Sequence, residues 1–413
     1  MDRRRLPVII LLVTLELPAL SPSFAQPSDD AGPGPAIESP PPPAEAVRSE
    51  PRLPEFTPSE REDAVMVLGE LRGSVRVAPE SAADRLKLAQ GLYRIGDLDA
   101  AIEECRVAVR LQPDDAKAHL QLGVILMAKQ DWRAAASVLK EAVRLDPGQA
   151  HAHYSLAGVQ YSLGNVKAAI QSYRQSLELQ PHFPDARYRL ALLLKLTSRD
   201  REAAQFMEEA AVGGVPQAQF FLGNAYKNGQ GIDKNLGQAI FWWTRAVEFG
   251  HQPAADALSK VRRQALSSDR TDRRRQEALD AFQAYREKLW DQFPDYSRTD
   301  EEPLGARLLK DNRADYAVST LLKEGYALSE PAQAELARLY ESGWDQRLAP
   351  YDKKILACFE TTAAEGFLPA RKILARIHAR GLGLPPDLHK AKALLKGLPK
   401  QEIGSLLDEP GPQ

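Results

Sequence analysis

Cysteine is almost missing from this chain of 413 residues: Cys105 and Cys358 are the only two. Two thiols cannot build a disulfide scaffold or a four-thiolate zinc site. Aromatics reach only 7%, so a core of large rings is not expected. Charge of one sign is missing too: 54 Lys and Arg stand against 56 Asp and Glu, a formal net of −2. A chain whose main task is to hold nucleic acid would carry a strongly basic footprint. Catalytic signatures are also lacking. There is no phosphate-cradling glycine loop, Rossmann glycine cluster, paired-histidine metal helix or nucleophile elbow. His151 and His153, the one close histidine pair, diverge on a helix, so packing accounts for them better than metal. No enzyme activity, cofactor or metal is expected. What is present, 44% hydrophobic and 27% charged residues, belongs to a soluble folded chain.

Proline is unevenly spread. Residues 1–25 read as an export signal: Arg3, Arg4 and Arg5, an apolar run from Leu6 to Leu15, then Ser23 and Ala25 before a cleavage point at Gln26. A membrane span needs about 20 apolar residues, and this run is half that and ends at Glu16. No integral membrane segment is expected after cleavage. Residues 26–59 hold Pro40 to Pro43 in a row and many acids. They read as a Pro-rich disordered linker, a spacer or, less favoured, a docking ligand. An exported, periplasmic or secreted bacterial chain follows.

Four prolines, Pro79, Pro113, Pro147 and Pro181, recur every 34 residues. Between them the same residue types return at the same phase. Leu88, Ala89 and Leu92 are followed by Ala101, Cys105 and Ala108. The next copies carry Leu122, Gly123, Leu126, Ala135, Leu139 and Ala142, then Leu156, Ala157, Ala169, Tyr173 and Ser176. Leu190, Ala191, Leu194, Ala203, Met207 and Ala210 form a fourth. Small residues let paired helices approach, large ones fill the space beside them, and stacked neighbours share a core. This pattern resembles the tetratricopeptide repeat, with copies at about 82–115, 116–149, 150–183 and 184–213 behind a cap at 60–81.

After Gly214 the pattern changes. Ala218, Leu222, Gly223, Tyr226, Gly229, Gly231, Asp233, Ala239, Trp242, Ala246 and Gly250 resemble the Sel1-like repeat, a helical hairpin with a longer glycine-bearing turn. That copy spans 214–253. Two more resemble it at 331–366, where the turn is two residues longer, and at 367–400, with a tail at 401–413. Residues 254–330 read as degenerate and helical with an irregular joint. The expected fold is all-α, an α/α superhelical solenoid of both hairpin types, each repeat touching its neighbours. In the Sel1 copy Trp242 takes the core position and Trp243 the edge.

Function is expected from the solenoid's concave face. The resemblance implies that first helices line it, so Tyr93, Lys117, Leu120, Met127, Tyr154, Tyr161, Tyr188 and Lys195 become candidate groove residues, with Tyr154 and Tyr188 as the anchors. The family's Asn–Lys carboxylate clamp is absent, because its Asn position holds Gln90, Val124, Gly158 and Leu192. A protein partner is implied, in an envelope scaffold. The alternative is an envelope glycan or peptidoglycan, read from Trp243 and a basic patch of Arg262, Arg263, Arg273, Arg274 and Arg275. The plainer reading of that patch is a solvated helix face.

Overall fold

The computed structural model describes residues 58–408, apart from 231, 270, 300–301 and 345–346. The export signal, residues 26–57 of the linker, Arg270, Gly231 and the last five residues lie outside the described residues. Twenty α-helices and no strand occur among those described, a fully α structure as expected. The chain divides into two compact units, 1–215 and 216–413.

The first unit opens with α1 (Pro58–Val77), the expected cap. Four hairpins follow: α2 (Ala82–Ile95) with α3 (Leu98–Leu111), α4 (Ala116–Ala128) with α5 (Trp132–Leu145), α6 (Ala150–Ser162) with α7 (Val166–Leu179), and α8 (Pro184–Leu196) with α9 (Asp200–Val212). Apart from the prolines that punctuate it, every residue named in the 34-residue pattern is buried. Each second helix packs on the next first helix, and the first helices α2, α4 and α6 also touch in turn. Side-chain caps start α2 to α5, where Ser81, Asp97, Asp115 and Asp131 each accept a backbone N–H.

The turn inside each hairpin repeats atom for atom. Gly96, Gln130, Gly164 and Ser198, also 34 residues apart, all take positive φ (89°, 63°, 82° and 58°). The following residue donates its N–H back across the helix end: Asp97 to Leu92, Asp131 to Leu126, Asn165 to Gln160 and Arg199 to Leu194. This closes the carbonyls a helix end leaves open. Only two of the four positions are glycine, so the geometry is imposed by hairpin packing rather than by residue type.

The second unit begins with α10 (Pro216–Asn228) and α11 (Leu236–Glu248), followed by α12 (Gln252–Ala265) and α13 (Arg273–Trp290). The rest comprises α14 (Leu304–Lys310), α15 (Ala314–Tyr326), α16 (Glu330–Ser342), α17 (Lys353–Ala364), α18 (Leu368–Arg380), α19 (Leu388–Leu394) and α20 (Lys400–Asp408). The Sel1-type loop is closed by one recurring bond: Asn235 N–H to Tyr226 O, Tyr351 N–H to Tyr340 O and Asp387 N–H to His378 O. The middle loop is longer by two residues, as expected. Positive φ at Asn312 and Leu328, with Arg313 donating to Leu308 and Ser329 to Glu324, puts the same hairpin turn in the zone read as degenerate.

Three expectations need correcting. Trp243 is fully buried and is the core tryptophan; Gly223 faces it, and a Cβ there would stand 2.5 Å from its ring. Trp242 is 8% exposed and also buried. The supposed tail contains α20, whose Ile403, Leu406 and Leu407 pack with Ala375, Ala391 and Leu395. Finally, neighbour-only contact fails in the second unit. Arg262 of α12 forms a two-pronged ion pair with Glu365, 103 residues away, at 2.5 and 2.9 Å. The guanidinium also lies 5.8 Å from the Tyr326 ring. Lys323 pairs with Glu248 at 2.6 Å, and Arg286 donates to the Ala327 carbonyl at 2.5 Å. One apolar cluster consequently runs from Ala239 to Ile377.

Candidate functional site: the first-helix face of the tetratricopeptide-type unit

Residues on α2, α4, α6 and α8 build this face. Tyr93 is half-buried, and burial raises its phenol pKa. Lys117 is exposed. Leu120 is buried and belongs to the core cluster around Leu122 and Leu139. Met127 is half-buried with its methyl over Gly158, where a Cβ would sit 3.4 Å from it. Gly158 therefore leaves a low floor between Met127 and the Tyr173 hydroxyl.

The middle of the face is aromatic. Tyr154 packs edge-on against Tyr173 at 5.5 Å and lies tilted against Phe183 at 4.8 Å; His151 is also tilted against Phe183, at 5.0 Å. Arg189 of α8 sits among these rings and is hydrogen-bonded with Tyr154. Burial alone would lower its pKa, but the Tyr154, Tyr173 and Tyr188 oxygens outweigh that and hold the charge. Burial also raises the Tyr154, Tyr161 and Tyr188 phenols and the nearby Asp185 carboxyl. Lys195 is half-buried, and its pKa is lowered by burial.

The structure thus brings Tyr154, Tyr161 and Tyr188 together around Arg189, with Met127 beside them, while Tyr93 and Lys117 lie on earlier repeats. Tyr188 is a correction: at 3% exposure it is a core residue and not an accessible anchor. Its hydroxyl has no hydrogen-bond partner among the described residues. Sequence reasoning missed Arg189, which falls one residue past a groove position. The available signal was a charged residue between buried Tyr188 and Leu190.

The basic patch comes apart. Arg262 is buried in its ion pair, so it offers nothing to an outside surface. Arg275 is half-buried, whereas Arg263, Arg273 and Arg274 are exposed, and Arg273 pairs with Glu277 one turn on. Both cysteines are buried thiols, and burial pushes each up to about 12, far from a reactive thiolate. Among the described residues no group of three metal-binding side chains converges, and no helix is long and apolar enough to cross a membrane.

Comparison with known proteins agrees with the hairpins. Residues 61–116, 120–182 and 164–219 match the tetratricopeptide repeat, and 216–251 and 370–396 match the Sel1 repeat. The chain carries both. The copy expected at 331–366 is not among these matches, although its loop closes with the same bond. DAP3-binding cell death enhancer 1 of Rattus norvegicus is 32% identical over 59 residues, and that of Mus musculus 34%. Each match covers 14% of this chain and 12% of the relative, so the chain spans about an eighth of those proteins. Among solved structures, MamA is 25% identical, over 37% of this chain and 90% of its own, with a TM-score of 0.35. YrrB, described as a TPR protein with an unusual peptide-binding site, is 19% identical over 45% and 96%, with a TM-score of 0.35. A thermophilic TPR protein of Thermus thermophilus is 18% identical over 43% and 99%, with a TM-score of 0.37.

Proposed function

We propose that this chain of tetratricopeptide and Sel1 repeats is a non-enzymatic scaffold of the bacterial cell envelope. It takes segments of partner proteins on its first-helix face and assists their assembly. The observation that carries the reading is the half-buried aromatic surface of Tyr154, Tyr161 and Met127 around Arg189. Tyrosine and arginine are the residue types interfaces favour: large contact areas with polar tips. The glycan alternative loses two supports, since Trp243 and Arg262 are both buried. Export rests on the residue pattern of the first 25 positions alone.

Two experiments test this. A photo-crosslinking residue at Tyr161 in cells is expected to capture a protein partner, whereas one at Arg106 on the outer helix α3 is not. Equal capture at both, or none at Tyr161, overturns the groove. Fractionation with N-terminal sequencing should find a periplasmic or secreted chain starting at Gln26; a cytoplasmic chain that keeps residues 1–25 contradicts the envelope role.

A further inference from the structure

Residues 64–77 of α1 stand 34 positions before α3 and keep the phase of a second helix. Leu68, Leu71 and Val75 turn inward and join the core of the first hairpin. The opposite side differs from its counterparts. Where α1 has Val65, the later second helices carry Asp99, Arg133, Lys167 and Arg201. Where it has Gly69, they carry Glu103, Ser137, Gln171 and Gln205. All of these are exposed and polar, as suits the solvated side of an amphipathic helix. On α1, by contrast, Val65 is 61% exposed, Met66 62% and Val77 88%. A Cβ at Gly69 or Gly73 would meet nothing within 4 Å. An end repeat needs a polar outer face to stay soluble, and this one is apolar over about 18 Å.

The strip is also symmetric about Leu71. Val65 mirrors Val77, Gly69 mirrors Gly73, and Glu70 mirrors Arg72 with the opposite charge. At about 100° per residue, Gly69 and Gly73 fall at the centre of the face opposite Leu71. Val65 and Val77 flank them, one on each side, and so do Arg72 and Glu70. Those two charges are two residues apart, so they point to opposite flanks and cannot pair within their own helix. Both are exposed, and neither has an ion-pair partner among the described residues. Suppose an identical helix lies antiparallel on this face, related by a twofold axis at the level of Leu71. Each Glu70 then meets the other Arg72, and each Val65 lies beside the other Val77. Gly69 lies beside Gly73, where missing side chains let the backbones approach. Met66 comes beside Arg76, whose methylene stem is apolar. A parallel pair would set Glu70 against Glu70 instead.

We propose that the outer face of α1 is a self-association surface, covered by α1 of a second copy of this chain in an antiparallel, twofold pair. The occupant needs the same apolar strip and the same two charges in reversed order, and another copy of α1 supplies both. The mirrored set uses none of residues 58–63, whose side chains lie outside the described residues. The pair goes beyond the groove reading, because it uses no groove residue and joins two scaffold chains to each other.

The test is sedimentation velocity of the whole chain at rising concentration. One helix on one helix is a small interface, so reversible dimerisation in the micromolar range is expected. Glu70→Arg and Arg72→Glu each set like charges together twice, and each should weaken the dimer by about tenfold or more. Mixing these two variants in equal amounts should restore it as a heterodimer, because each supplies the sign the other lacks. The double variant, Glu70→Arg with Arg72→Glu, should recover self-association for the same reason. Gly69→Gln, which installs the residue type of the later repeats, should also weaken pairing. Circular dichroism should show unchanged helix content in every variant. A chain that stays monomeric at all concentrations overturns the proposal, as does a dimer indifferent to the charge changes. A dimer that appears only after deletion of residues 26–57 also overturns it, and assigns the face to the chain's own preceding segment. The charge variants should leave partner capture at Tyr161 unchanged, so failure here and failure of the groove are separable.

Discussion

The two units are made of the same hairpin and use it differently. In the first, Gly96, Gln130, Gly164 and Ser198 repeat one turn every 34 residues, and strong packing runs from each helix to the next. In the second, Arg262 reaches Glu365 across 103 residues, and a single apolar cluster joins α11 to α18. A solenoid with neighbour-only contacts keeps a face free along its length. A hairpin array tied by distant contacts gives up that freedom and becomes a compact body.

The largest expected effect falls on the tie itself. Glu365→Ala leaves Arg262 buried without its partner, and removing one member of a buried pair costs about 3–5 kcal/mol. Urea unfolding should show this loss in the second unit and leave the first unchanged. Arg144→Ala, which breaks an exposed pair with Glu141 in the first unit, should leave the unfolding midpoint where it was. If both substitutions act alike, the contrast between the units is wrong.

Next comes an acid. Glu324 is buried between α14 and α15, and both its oxygens accept backbone N–H groups, from Leu304 at 2.9 Å and Gly305 at 3.1 Å. Burial raises its pKa from 4.5 to about 7, against those two bonds and Arg286, while Tyr285 also faces it. The folded state then binds the proton more tightly than the unfolded state. The stabilising contribution is fully present below the unfolded value and is lost as pH rises from about 4.5 to about 7, roughly 3 kcal/mol across that window. Denaturation of the second unit at pH 5 and pH 8 should show this fall, and Glu324→Gln should flatten it. A second unit that gains stability over this range would contradict the assignment.

A smaller effect sharpens the packing comparison. Gly223→Ala puts a Cβ 2.5 Å from Trp243, and Gly123→Ala puts one 2.5 Å from Leu139. Overpacking costs about 1–3 kcal/mol, and a rigid indole yields less than a leucine, so calorimetry should find the Gly223 variant less stable. The smallest effect is a gain. Gln130 holds φ of 63°, where glycine is not strained, so Gln130→Gly should raise stability by up to about 1 kcal/mol.

Legibility in the sequence followed periodicity. The 34-residue pattern named the interior of the first unit residue by residue, because small and large side chains alternate there at a fixed phase. The loop of the second Sel1-type hairpin was also readable, down to its two extra residues. What failed were contacts with no period. Nothing near Arg262 in sequence points to Glu365, so it read as part of a surface patch. Adjacent tryptophans differ by about 100° around a helix, and either could have been the core one. Tyr188 occupied a groove phase yet turned out buried. Arg189 escaped because a repeat pattern averages over single polar residues.

The central contrast is tested most directly by native-state hydrogen exchange of the whole chain under rising urea, followed by mass spectrometry. Amides of α2 to α9 should open at graded urea concentrations, repeat by repeat, whereas those from α11 to α18 should open together. Uniform opening across the first unit with graded opening across the second would contradict the account.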